Sequence, residues 1–135
     1  MDFIAEKTEY IADRHDVLID NIKADYGTDK LIEQIKKKNW TLYDVELNDT
    51  LVGAFVCRIE TLINGENELV ILHTVSKLKD KIPLFAILEP LIDKVAKNSG
   101  CKTIRVHSTQ ESVTRLIKKH TSNYILSETI FVKVL

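Results

Sequence analysis

An unbroken apolar run marks the centre of the chain. Leu69-Val70-Ile71-Leu72 is apolar on both faces, as in a strand buried from both sides, and it predicts a strand over Glu68–Thr74. A helical pattern over Ile82–Asn98 follows and ends at Gly100, and a second strand is predicted over Lys102–His107. A strand, helix and strand of these lengths form a right-handed crossover between two parallel strands.

Two amphipathic helices are predicted before this unit. Apolar residues recur with a helical period over about Thr8–Tyr26, and Gly27 ends that helix. Thr28 is the expected cap of the second helix, Asp29–Lys38, whose last turn holds three lysines that suit the helix dipole. This lysine run predicts either a solvated helix end or a contact with phosphate or an acidic partner.

An antiparallel meander is predicted between the helices and the crossover. Two runs rich in β-branched and aromatic residues, Trp40–Leu47 and Leu51–Leu62, are joined by the turn pair Asn48-Asp49. The second run ends at Asn64-Gly65, the strongest hairpin signal in the chain. The third strand of the meander is therefore the first strand of the crossover.

The last quarter of the chain predicts one more helix and a closing strand. Ser108-Thr109-Gln110-Glu111 has capping-box spacing and opens a helix with Ile117 and His120 on its apolar stripe. Tyr124–Leu135 alternates as a strand does. We therefore predict a single α/β domain over residues 1–135, with a mixed sheet and the order ααβββαβαβ.

Composition excludes several classes of function. The 135 residues are 44% apolar and 29% charged, which suits one globular domain with its own core. Nineteen basic residues against 20 acidic ones give a net charge of −1, so nothing global favours nucleic acid or an anionic membrane. No apolar run is long enough to span a membrane, and the amino terminus is not a signal peptide. The expected partner is a protein or a second copy of the chain.

The two cysteines do not mark a redox or zinc site. Cys57 and Cys101 lie in predicted elements and form no CxxC motif. We expect buried thiols in a reducing compartment, with a disulfide or a reactive thiol as the alternatives.

Histidines supply the candidate chemistry. His73 and His107 lie at the carboxyl ends of the two predicted parallel strands. Ligands of such crossover units bind at this edge of the sheet. An imidazole titrates in the range useful for a general base, and Glu68, at the start of its strand, is the second candidate. The alternative is that both histidines are simply polar strand ends. No third ligand is marked by spacing, so no metal site is predicted.

His15 and His120 lie on amphipathic helices and are predicted as surface or boundary residues.

The element order resembles the GNAT acyltransferase fold over nearly the whole chain. LYDVELNDTLVGAFVCRIE resembles the second and third strands of that family, and KNSGCKTIRVHS resembles the end of its crossover helix and its fifth strand. The resemblance implies an acetyl-CoA-binding scaffold. It also implies a first strand, which no clear pattern marks here: MDFIAEK supplies it or it is missing.

The loop that holds the cofactor pyrophosphate in that family departs from the family pattern here. GNAT proteins carry Gln/Arg-x-x-Gly-x-Gly/Ala after the fourth strand, whose backbone N–H groups close on the phosphates. The corresponding stretch, Val75–Pro83, has no glycine, Pro83 has no N–H, and Asp80 is predicted to cap the next helix. Lysines could replace these contacts as point charges, or could simply be solvated. The candidate phosphate contacts are Lys77, Lys79 and Lys81.

The resemblance leads to two hypotheses. It implies a tyrosine general acid before the final strand, where this chain has Ile117. The first hypothesis is therefore a non-catalytic GNAT-like binding or assembly module without a cofactor. Small chains of this kind resemble GNAT-like proteins of tailed bacteriophages, which implies a location in the cytoplasm of the host cell or in the virion. Its partner-facing candidates on the fifth strand are Thr103, Arg105 and His107, for which a solvated sheet face is the alternative.

The second hypothesis is a divergent acetyl-CoA-dependent N-acetyltransferase. In that case the lysine loop contacts the cofactor phosphates, and His73 or Glu68 is the base.

Overall fold

The computed structural model describes residues 2–22, 26–77, 84–106 and 133. The predicted last helix and closing strand, with Ile117 and His120, lie outside these residues. The described elements, in chain order, are β1 Phe3–Thr8, α1 Ala12–Asp20, α2 Thr28–Lys36, β2 Thr41–Leu47, β3 Thr50–Thr61, β4 Asn67–Ser76, α3 Leu84–Asn98 and β5 Cys101–Val106.

The strands form one mixed five-stranded sheet in the order β1-β2-β3-β4-β5. Neighbouring strands are antiparallel from β1 to β4, and β4 pairs with β5 in parallel. The predicted meander and the predicted crossover through α3 are therefore confirmed, as is the α/β fold class.

The amino-terminal segment corrects the predicted element order. The predicted helix over Thr8–Tyr26 starts too early, because Phe3–Thr8 is strand β1 and α1 begins only at Ala12. β1 pairs with β2 along its whole length, from Phe3 opposite Leu47 to Thr8 opposite Leu42. The stretch MDFIAEK thus supplies the first strand. None of its six residues is fully buried, so this strand carries only a weak apolar period in the sequence.

The sheet buries side chains on both faces. Residues 51–57 of β3 are all buried, which requires a cover on each side of that strand. One cluster, the α1–α2 core, joins Leu18 and Leu31 to Val56. The other, the α3 core, joins Ile92 to Phe55, on whose ring Tyr43 stacks with the ring centroids 5.0 Å apart. Each fully buried side chain of this size contributes about 1.5–3 kcal/mol.

The predicted turns adopt the backbone geometry that their sequences require. Asn48 and Asp49 have φ of 50° and 65°, the left-handed pair that closes a two-residue hairpin between β2 and β3. Gly65 has φ of 85° between β3 and β4, and Gly100 has φ of 74° after α3. The cap of α2 differs from the prediction, because Gly27 takes the N-cap position and Thr28 is the first helical residue.

Two of the lysines at the end of α2 contact their own chain. Lys37 pairs with Glu33 one turn earlier at 2.5 Å. The ammonium of Lys36 lies 5.4 Å from the centroid of the Tyr10 ring. Exposed pairs of this kind contribute at most about 1 kcal/mol to the free energy of folding.

The prediction that His15 lies at the surface is wrong. His15 is fully buried, with its Nδ1 accepting the Ile11 backbone N–H at 2.9 Å and its Nε2 2.8 Å from the Asp44 carboxylate. Because Nδ1 is an acceptor, Nε2 carries the proton and donates to Asp44. Arg14 contacts the other Asp44 oxygen at 2.9 Å and Glu46 at 2.7 Å. This network joins the start of α1 to β2.

Both cysteines are free thiols. Burial raises the pKa of Cys57 to about 12, so this thiol is protonated and unreactive near neutral pH. Burial also raises the pKa of the half-buried Cys101. Among the helices that the structure describes, none is both long enough and apolar enough to cross a membrane.

Replacing Gly53 with alanine should destabilise the sheet. A Cβ at Gly53 would lie 2.7 Å from the Val75 carbonyl oxygen of β4, so one strand must move. We expect Gly53→Ala to lower the free energy of unfolding by about 1–3 kcal/mol, measured by urea denaturation. Thr50→Ala, at the exposed start of the same strand, is the control and should change it by less than about 0.5 kcal/mol. Equal stability of Gly53→Ala and the parent would contradict the close approach.

Replacing His15 should also lower stability, and the loss should depend on the hydrogen bonds. His15→Phe keeps a ring but leaves the buried Asp44 without its imidazole donor, which should cost about 2–3 kcal/mol. His15→Gln retains an N–H donor and should lose less. Chemical denaturation of both variants checks this order, and a phenylalanine variant as stable as the parent would refute the role of the network.

Candidate functional site

β4 pairs along its whole length with β3, whereas its pairing with the described part of β5 covers its first half. Its parallel pairing with β5 runs from Asn67 opposite Cys101 to Ile71 opposite Val106. Its antiparallel pairing with β3 continues to Ser76. We call the stretch Leu72–Ser76 the open segment of β4, because it continues past the described pairing with β5.

A β-bulge lies at the start of the open segment. Val56 of β3 is opposite His73, whereas the next residue, Cys57, is opposite Ile71. Leu72 is thus the extra residue of β4, and its side chain packs against the α1–α2 core. A bulge bends its strand and increases the local twist, so the backbone of β4 changes direction directly after its last described pair with β5.

At the other end of the β4–β5 pair, a buried carboxylate of β4 forms hydrogen bonds with β5. Glu68 is 6% exposed and accepts hydrogen bonds from the Thr103 hydroxyl at 2.9 Å and from the Arg105 guanidinium at 2.8 Å. The register places the three side chains on one face, since Glu68 lies opposite Thr103, and Arg105 is two residues further along β5. The candidate base Glu68 therefore meets two of the partner-facing candidates.

This arrangement is a cross-strand anchor. Both carboxylate oxygens of Glu68 accept bonds from β5, and the residue lies at the start of β4. His73 is five positions further along the strand, a span of about 15 Å. The two candidate bases therefore lie at opposite ends of β4 and do not form one site.

His73 lies in the open segment, directly after the bulge, and forms a hydrogen bond with Tyr26. The two side chains meet through Tyr26 Oη and His73 Nε2, and their ring centroids are 5.7 Å apart. Trp40 also packs edge-on against Tyr26, with the ring centroids again 5.7 Å apart. His73 shares a face with its cross-strand partner Val56, which belongs to the α1–α2 core. The group therefore lies on the face of the sheet that α1 and α2 cover.

Burial lowers the pKa of His73 below its ordinary value of 6.5. Desolvation disfavours the imidazolium, so the ring is neutral at pH 7 and keeps a lone pair. A neutral ring with its proton on Nδ1 accepts the Tyr26 hydroxyl proton at Nε2. His73 is therefore in the state that a general base requires.

Sequence reasoning found His73 but missed Tyr26 and Trp40. Tyr26 is 47 residues from His73, and its only local signal is its position before Gly27. Lys77 is exposed directly after β4, and its backbone N–H donates to the Val52 carbonyl at 2.7 Å. In the described part of the chain, no group of three or more His, Cys, Asp or Glu residues could hold a metal ion. The candidates that lie outside the described residues are Lys79, Asp80, Lys81, Pro83 and His107.

Several solved structures are similar to this one over nearly their whole length. A GNAT family acetyltransferase from Staphylococcus aureus is 16% identical, with a TM-score of 0.70 and 100% of each chain covered. An aminoglycoside acetyltransferase from an uncultured soil metagenomic sample, in complex with sisomicin, is 12% identical, with a TM-score of 0.71 and 98% and 96% of the two chains covered. Glucosamine-6-phosphate N-acetyltransferase from Arabidopsis thaliana is 16% identical, with a TM-score of 0.60 and 98% and 100% covered.

No protein-family model matches the sequence, and no curated protein matches it either. At 10–16% identity the solved structures establish the fold alone. The chain has the fold of the GNAT acetyltransferases.

Proposed function

We propose that the chain is an acetyl-CoA-dependent N-acetyltransferase that acetylates an amine. The observation that carries this proposal is the open segment of β4 with a neutral histidine directly after its bulge. The similar solved structures support it, because their names describe acetyltransferases, including enzymes for an aminoglycoside and for glucosamine-6-phosphate. Of the two hypotheses from the sequence, the second is therefore preferred.

The open segment is the proposed binding surface for the extended pantetheine chain of coenzyme A. Beyond Ile71, the β4 backbone continues while the described part of β5 ends at Val106. The pantetheine arm of the cofactor carries amide groups along an extended chain, so it can pair with a strand edge as an added strand does. Such pairing would bring the acetyl group to the bulge.

His73 is the proposed base of the reaction. The amine nitrogen attacks the thioester carbonyl, the carbon–sulfur bond breaks, and coenzyme A leaves as a thiolate that takes up a proton. The nitrogen must lose one proton during this exchange, and a neutral imidazole at the same place can accept it. Glu68 is a poor candidate because both its oxygens already hold β5.

Lysines after β4 are the proposed phosphate contacts. Lys77 is exposed at the carboxyl end of the strand, where cofactor phosphates would leave the open segment. Together with Lys79 and Lys81, it would supply positive charge in place of the backbone amides of a glycine loop.

A second candidate function is a non-catalytic binding or assembly module. Two sequence features favour it: Val75–Pro83 has no glycine, and Ile117 stands where GNAT enzymes often have a tyrosine acid. A protein partner would then meet the β5 face that carries Thr103 and Arg105. A role in a bacteriophage virion has no support among the similar structures, whose names describe acetyltransferases.

Acetyl-CoA should stabilise the folded protein in a concentration-dependent way. Binding to the native state adds RT ln(1 + [L]/Kd), about 2.7 kcal/mol when the ligand is at a hundred times its Kd. We therefore expect the melting temperature to rise continuously through a titration with acetyl-CoA. The absence of a shift at millimolar cofactor would contradict the proposal and favour the assembly module.

The lysine contacts have a matched control in the same titration. Lys77→Gln should weaken acetyl-CoA binding by roughly threefold to tenfold, since it removes one charge from the phosphates. Lys36→Gln, on α2 beside Tyr10, removes the same charge elsewhere and should leave the Kd unchanged. Equal effects of the two variants would show only a general dependence on net charge.

A further inference from the structure

The Tyr26 hydroxyl occupies the imidazole nitrogen Nε2 of His73. Tyr26 is 38% exposed, whereas His73 is half-buried. A proton that reaches this nitrogen along the existing hydrogen bond therefore comes from the Tyr26 oxygen. If His73 accepts a proton in the reaction, the simplest path for that proton runs through the Tyr26 hydroxyl.

Two aromatic side chains contact Tyr26. Trp40 and His73 meet its ring edge-on, at interplanar angles of 63° and 61°. Trp40 also packs against the α1–α2 core, so this contact is anchored to the body of the domain. A hydroxyl whose ring is held by packed neighbours needs little reorganisation when a proton moves.

We propose that Tyr26 is the catalytic residue that contacts the acceptor amine and relays its proton to His73. This inference rests on the proposed acetyltransferase function. As the nitrogen–carbon bond forms, the amine proton passes to Tyr26 Oη and the phenolic proton passes to His73 Nε2. The products of this step are the acetylated amine, the coenzyme A thiolate and an imidazolium. The imidazolium then returns its proton to the tyrosine, whose hydroxyl proton neutralises the thiolate directly or through solvent.

The chemistry needs both groups. A phenol with a pKa near 10 is a poor base at neutral pH when it acts alone. A neutral imidazole behind it takes the phenolic proton as the oxygen gains another, so no phenolate has to form in advance. The acceptor would then approach from the face of the sheet that α1 and α2 cover, beside Tyr26 and Trp40.

The test compares Tyr26→Phe and His73→Gln, singly and together, with the parent protein. Acetyl-CoA is the donor, glucosamine, lysine and propylamine are the acceptors, and loss of the thioester is followed by absorbance. Each single variant should lower kcat for the best acceptor by about 100-fold or more and leave the acetyl-CoA Kd unchanged. The double variant should be no slower than the slower single one, because the two residues act as one relay.

Tyr10→Phe is the matched control, because the Tyr10 hydroxyl also has a side-chain partner, but this partner is Asp16 and not His73. The Tyr10→Phe variant should have the same kcat as the parent protein. Melting temperatures of all the variants show that the folded state is retained, and if Tyr26→Phe is unfolded, His73→Gln alone carries the comparison.

The outcomes separate the two proposals. A rate within threefold of the parent for Tyr26→Phe, or independent losses that multiply in the double variant, would overturn the relay and leave the acetyltransferase function intact. Acetyl-CoA binding without turnover of any acceptor would overturn the relay and leave a cofactor-binding protein. The absence of acetyl-CoA binding would overturn both.

Discussion

The unequal pairing of β4 is the constraint on which the rest of the structure depends. β4 pairs with β3 through nine of its ten residues, and its described pairing with β5 covers Asn67 to Ile71. Glu68 bonds β4 to β5 at one end of that pairing, and the bulge at Leu72 lies directly after its other end. In the proposed function, the cofactor lies along β4 beyond this point.

The two faces of the sheet make different contributions to this arrangement. The α3 core supports β4 through Leu69 and Ile71, which point away from the candidate site. The opposite face brings in Tyr26 and Trp40 from the segments on either side of α2. The network around His15 and Asp44 fastens α1 to β2, so the helices above His73 are held by buried hydrogen bonds as well as by apolar contacts.

The parts of the fold that were predicted correctly have signals within a few residues. The run Leu69–Leu72, the pair Asn64-Gly65 and the glycine after α3 each specify local geometry, and β3, β4 and α3 follow from them. β1 is predicted only as one of two alternatives for MDFIAEK, because its six residues carry a weak period beside the longer helical one. Thr103 and Arg105, two residues apart on β5, share a face of the sheet, but their contact with Glu68 depends on the register between two strands.

The side-chain networks could not be read from the sequence. His15 is predicted as a surface or boundary residue because it lies on an amphipathic helix, and its partner Asp44 is 29 residues away in the sequence. Tyr26 carried no signal for a site, because only the folded sheet brings it to His73. The place of His73 at a strand end marks it as a candidate base, whereas nothing in the sequence marks Tyr26, which contacts it.

A titration of the ¹⁵N-labelled protein with acetyl-CoA, followed by backbone amide shifts, tests the central claim most directly. The cofactor is expected to lie along the open segment of β4, so the amides of Leu72–Ser76 should show the largest saturable shifts. The amides of β1 and β2, on the far side of the sheet, should change little. No saturable shift, or shifts centred away from β4, would contradict the account.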